Sequence, residues 1–127
     1  MTNAQTISPP LAWYAPTLAS AAALLQLPDN WDRHGAQRVK PVIVQAAMTL
    51  LNGIMQDDTP PPSVVPTVRG GIQFEWHMRG IDLEVEFFSL DRVVVLFEDQ
   101  RRGISWEKEL GSNTELLHHA IESLTGQ

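Results

Sequence analysis

The run Ile72-Gln73-Phe74-Glu75-Trp76-His77-Met78-Arg79-Gly80-Ile81-Asp82-Leu83-Glu84-Val85-Glu86-Phe87 decides the fold of this chain. Ile72, Phe74, Trp76 and Met78 alternate with Gln73, Glu75 and His77. Ile81, Leu83, Val85 and Phe87 alternate with Asp82, Glu84 and Glu86. Two period-two runs joined by a glycine-containing turn predict a β-hairpin with one buried and one polar face. Arg79-Gly80 read as a two-residue turn sets Met78 opposite Ile81, Trp76 opposite Leu83 and Phe74 opposite Val85. A three-residue loop with a bulge is the other reading, since Arg-Gly is not the preferred pair for a mirror-type turn.

Working outward, Val64–Val68 predicts a short strand, kept at the sheet edge by Pro66. Arg92–Glu98 predicts a further strand with Val93–Phe97 apolar on both faces, and Ile104–Glu107 a last one. Before the meander, Leu18, Ala21, Ala22 and Leu25 suggest a helix over 16–26. A second helix opens at Pro41, with Ile43, Ala47, Leu50, Leu51 and Ile54 as its apolar stripe. After the meander, Ser112-x-x-Glu115 has the form of a capping box, opening a helix with stripe Leu116, Leu117, Ala120, Ile121 and Leu124. Thr59–Ser63 reads as a stiff proline-rich spacer. The expectation is an α+β fold: an antiparallel meander sheet of four to five strands, with two N-terminal helices and one C-terminal helix packed on one face. Residues 1–12, with Pro9-Pro10, read as a flexible tail, and 13–127 as a single domain.

Composition narrows function. The chain has 127 residues, a net charge of -6 and no cysteine. Scattered basic residues argue against a nucleic-acid partner, and the missing thiols exclude disulfides and thiolate metal sites. The apolar run Leu18–Leu25 is too short to span a bilayer and lacks a preceding Lys or Arg, so the protein is expected in the cytoplasm with no membrane association.

The pattern Leu27-Pro28-x-x-Trp31-Asp32-x-x-Gly35-Ala36, followed by Gly70-Gly71-Ile72-Gln73-Phe74-Glu75-Trp76, resembles a group of small uncharacterised bacterial proteins over about residues 27–88. Members of that group often carry a second glycine after Trp-Asp, where this chain has Arg33. The resemblance implies no activity, cofactor or catalytic residue.

The candidate sites follow from the hairpin. Its polar face sets His77 opposite Asp82, Glu75 opposite Glu84 and Gln73 opposite Glu86, and directly opposed like charges are unfavourable by roughly 0.2–1 kcal/mol. The acidic strip reads as a solvated face, as a surface for a basic partner, or as a carboxylate metal site. The apolar Val93–Phe97 run beside it predicts a cover, supplied by the N-terminal Trp13 and Tyr14, a second copy or another protein. Trp31, Asp32 and His34 sit in a turn-rich loop and form a second candidate. His118 and His119 point in different directions on a helix and read as exposed pairs with Glu122 and Glu115. Trp76 and Trp106 occupy inward strand positions. No catalytic or metal-binding constellation emerges, and no cofactor is expected. The favoured expectation is a non-enzymatic protein-binding module, such as an antitoxin, immunity or adaptor protein. The alternatives are a small-ligand or metal-dependent enzyme with a pocket near the Trp31 loop, using His34, Asp32 and His77, and a structural homodimer.

Overall fold

A computed structural model describes residues 12–126; the expected tail therefore lies outside the described residues except for Ala12. In chain order the elements are α1 (Tyr14–Leu24), α2 (Pro41–Ile54), β1 (Ser63–Pro66), β2 (Ile72–Met78), β3 (Ile81–Ser89), β4 (Arg92–Asp99), β5 (Ile104–Glu109) and α3 (Glu115–Leu124). The five strands form one antiparallel sheet in the order β1-β2-β3-β4-β5, so each pairs with its sequence neighbours. This is the α+β meander expected.

The central register is the one the two-residue turn requires: Met78 pairs with Ile81, Trp76 with Leu83 and Phe74 with Val85. Arg79 at φ 56° and Gly80 at φ 79° supply the two positive-φ positions of a mirror-type turn. No extra residue is needed.

Period-two alternation places Ile72, Phe74, Trp76, Ile81, Leu83, Val85, Phe87, Val93, Val95 and Phe97 on one face, all buried. The three helices join the same core through Trp13, Ala21, Ile43, Ala47, Leu51, Leu117, Ile121 and Leu124. Truncating one of the large side chains, Phe74→Ala for example, costs about 3–5 kcal/mol in such a core. The proline-rich spacer is tied to this layer, since the Trp76 indole N–H donates to the carbonyl of Pro60 at 2.8 Å.

Gly71, just before β2, packs tightly against the backbone at the end of β3. A Cβ there would lie 1.9 Å from the carbonyl oxygen of Phe87. Gly70 adjoins it at φ +86°, which turns the chain into β2.

Three local expectations need correction. Helix α1 begins two residues earlier than predicted and buries Thr17 and Ala21, while Leu18 stays exposed. Thr17 can be buried because its hydroxyl donates to the Trp13 carbonyl at 2.6 Å, and Pro16 is tolerated in the first turn, where amides lack helical acceptors anyway. Helix α3 is not opened by a capping box: Thr114 is its N-cap without a side-chain bond, and Asn113 Oδ1 accepts the Glu115 amide at 2.9 Å. Of the expected stripe, Leu117, Ala120, Ile121 and Leu124 are buried, whereas Leu116 is 40% exposed. The last strand extends to Glu109.

Candidate functional site

The polar face of the sheet is built by the same register that builds the core. In β2 and β3, Glu75 pairs with Glu84, Gln73 with Glu86 and His77 with Asp82. The rows continue across β4, where Asp82 meets Glu98, Glu84 meets Leu96 and Glu86 meets Val94. They end on β5, with Ser105 beside Glu98, Glu107 beside Leu96 and Glu109 beside Val94. Seven carboxylates thus share one face, those of Glu75, Asp82, Glu84, Glu86, Glu98, Glu107 and Glu109.

His77 is embedded in that field. Its Nδ1 lies 2.7 Å from Asp82 Oδ1 and its Nε2 3.2 Å from Glu75 Oε1. Glu84 Oε2 stands 4.0 Å from the same Nε2. The hydrogen bond to Asp82, supported by Glu75 and opposed by partial burial, holds the imidazole pKa above its usual value. A protonated ring donates to carboxylates on both sides and relieves part of their mutual repulsion. Gln73 Nε2 also donates to Glu75 Oε2 at 2.6 Å.

Glu86, farther along the strip, has its pKa raised by burial and by Glu84, with Arg92 and Arg69 offsetting this. Arg92 itself bonds Glu109 at 3.1 Å and lies 4.6 Å above the Phe88 ring.

Between these groups the face dips into an open depression of about 580 Å³, whose lining includes His77, Asp82, Glu84, Leu96, Glu98 and Glu107. Leu96 is 44% exposed there. The expected cover by the N-terminal aromatics is not what the structure has: Trp13 is buried in the core, with Tyr14 edge-on to it at 5.5 Å. Among the described residues the indole N–H of Trp13 has no hydrogen-bond partner, and the ring serves as packing.

The Trp31 loop is organised for itself. Asp32 Oδ1 accepts the amides of His34 at 2.8 Å and Ala36 at 3.0 Å, bonds that, led by the one from His34, lower its pKa. Asn30 Oδ1 accepts the Gly35 amide, and the Trp31 indole N–H donates to the Gln37 carbonyl at 3.2 Å. Arg33 takes φ 64°, a left-handed conformation that suits glycine best. The loop docks where Gln37 N meets Val68 O and Lys40 N meets Gly70 O. That is the Ile72 end of β2. His77 lies five residues along the strand, about 17 Å away at the usual rise, so the structure does not bring Asp32 and His34 together with His77.

Sequence reasoning found Glu75, His77, Asp82, Glu84 and Glu86 as one cluster, and the structure joins them. It missed Glu98, Ser105 and Glu107, which the alternation in β4 and β5 carries onto the same face. It also missed Asp99. This residue is fully buried and accepts Arg101 Nε at 3.2 Å and Arg102 Nε at 2.9 Å. The hydrogen bond from Arg101, assisted by Arg102, lowers its pKa to about 2.

Among the described residues, no group of three or more His, Asp or Glu side chains is arranged to hold a metal ion, and no helix is long and apolar enough to cross a membrane. Comparison with protein-family models, with characterised proteins and with solved structures finds no match, so the likeness read from the Trp31 loop and the Gly70-Gly71 strand stands on those residues alone.

Proposed function

We propose that this protein is a non-enzymatic binding module that uses the open acidic face of its sheet to take a basic surface of a protein partner. The observation that supports the reading is the register itself. It lines up Glu75, Glu84 and Glu107 with exposed Leu96 in one row across four strands. Repulsion within such a row opposes folding, and a partner's Lys and Arg side chains would relieve it while covering Leu96. Complementary charge of this kind speeds encounter and rejects acidic competitors. His77 does not read as a catalytic base, because carboxylates flank both ring nitrogens and, among the described residues, no serine, threonine or lysine nucleophile is bonded to it. Antitoxin, immunity and adaptor roles all fit a module that masks a basic surface.

The test is a triple reversal, Glu75→Lys, Glu84→Lys and Glu86→Lys, compared with wild type in retaining a partner from host lysate. The wild-type complex should dissociate as salt approaches about 1 M, where screening acts within about 3 Å. The reversed protein, checked for folding by circular dichroism, should retain nothing. A partner held equally by both proteins would exclude this face as the binding surface.

A further inference from the structure

The sheet has two edges, and they differ. Strand β1 has four residues, including Pro66, and α1 packs on it, so its edge is short and obstructed. Strand β5 has six residues without proline, and every one except Trp106 is exposed. Leu110 N donates to Val93 O at 2.7 Å. By the alternation of an antiparallel ladder, the even residues of β5 bond to β4, while Ser105, Glu107 and Glu109 aim their amides and carbonyls away from the sheet.

A hollow reaches this edge from each side. On the polar side is the acidic depression already described. On the helix side a second hollow of about 470 Å³ lies between β5 and α3, with Ile104, Leu116 and Ala120 among its lining residues. Ile104 and Leu116 are each 40% exposed. Trp106 lines both hollows. A strand laid beside β5, about 4.8 Å away, would send alternate side chains to opposite faces. One set would lie on the polar face beside Glu107 and Glu109, with Glu98 one strand farther in. The other would meet Ile104, Leu116 and Trp106.

We propose that the free edge of β5 receives an extended segment of a partner protein, in which Lys or Arg alternates with aliphatic residues, as a sixth strand of the sheet. This rests on the reading of the polar face as a surface for a basic partner and adds the mode of docking and the sequence pattern recognised. Main-chain bonds to Ser105, Glu107 and Glu109 supply affinity, and the two hollows supply specificity. A second copy of this chain suits the edge less well: two β5 strands related by a two-fold axis would bring Glu107 and Glu109 of both copies together. Residues 1–11 contain no Lys or Arg to meet the carboxylates.

The experiment uses two labelled, end-capped peptides with equal numbers of Lys and Val, one alternating and one with the lysines in a single block, in fluorescence-anisotropy titrations. The alternating peptide should bind about tenfold tighter than the block peptide, since only it satisfies both hollows while hydrogen-bonding the edge. Glu107→Pro, compared with Glu107→Gln to account for the lost carboxylate, removes an outward amide, leaves the β4 ladder intact and should abolish that difference. N-methylating alternate amides of the peptide should do the same without altering the protein. Equal binding of both peptides, lost in Glu84→Lys but no weaker in Glu107→Pro than in Glu107→Gln, overturns strand addition and leaves the acidic-face reading standing. Binding of neither peptide at low salt overturns both. A wild-type dimer in sedimentation velocity that Glu107→Pro converts to monomer overturns the proposal in favour of a second copy.

Discussion

Glu75 and Glu84 stand directly opposite each other on neighbouring strands, and the Nε2 of His77 lies 3.2 Å from one carboxylate and 4.0 Å from the other. The histidine is the built-in counter-ion of a face otherwise dominated by acids. Its charge, unlike that of an arginine, changes near neutral pH.

That relationship predicts a pH-dependent stability. The folded-state pKa of His77 is raised above 6.5, so its contribution is complete below the unfolded value and disappears as pH rises through the folded one. His77→Gln should therefore destabilise the protein at about pH 5.5 and leave it nearly unchanged at about pH 8.5, the loss staying under about 1 kcal/mol because the ring is solvent-screened. Urea unfolding at the two pH values measures this, and an NMR titration should place the imidazole above 6.5.

Glu86 should behave in the opposite sense to a stabilising carboxylate. Burial and Glu84 raise its pKa, so its ionised form opposes folding at neutral pH. Glu86→Gln is expected to stabilise the protein at pH 7 by about 0.5 kcal/mol, within the range of like-charge relief across strands. The gain should vanish near pH 4, where the native residue is itself protonated, and thermal unfolding of both proteins across that interval would show it.

Asp99 carries the acid sensitivity of the β4–β5 turn. Its pKa falls from 3.8 to about 2, so its contribution is present above 3.8 and is lost as pH drops toward 2. Asp99→Asn should lower the unfolding midpoint at pH 7 by several degrees, because Arg101 and Arg102 lose the negative charge they share and one of its two acceptor oxygens. It should also flatten the loss of stability below pH 4, followed by circular dichroism.

Two glycines should respond very differently to alanine. At Gly71 the new Cβ would meet the Phe87 carbonyl at 1.9 Å, which forces β2 and β3 apart and should destabilise by about 4 kcal/mol or more. At Gly35, φ is +88° with nothing within 4 Å, so only the left-handed backbone opposes the change, by about 1 kcal/mol. Denaturant midpoints of the two variants separate close packing from backbone strain.

The sheet could be read from the chain because alternation and turn chemistry are local. Ile72 to Phe87 carries both strands of a hairpin and the Arg79-Gly80 turn that sets their register, so the opposed pairs Glu75–Glu84 and His77–Asp82 follow without tertiary information. Features that depend on distant packing could not be read this way. Leu18 and Leu116 look like core residues on a helical pattern, yet the side each helix turns inward is decided by its neighbours, and both are exposed. Nothing local in Asp99-Gln100-Arg101-Arg102 tells that the bend folds both guanidinium groups back onto a buried carboxylate. The hollow beside β5 needs α3 in place before it exists.

The neighbour-to-neighbour order of the strands has a kinetic meaning. Each hairpin closes a short loop, so the sheet can zip from Ile72 to Glu109 without a long-range search, and folding is expected to be fast for a sheet of this size. The Thr59–Thr125 hydroxyl bond, spanning 66 residues at 2.8 Å, belongs to a late step. It forms only when α3 has come back across the sheet to shut the apolar face away from water. Until that return, α1 and α2 cover their share of the inner face, and the part that Leu117, Ile121 and Leu124 will bury stays open to water.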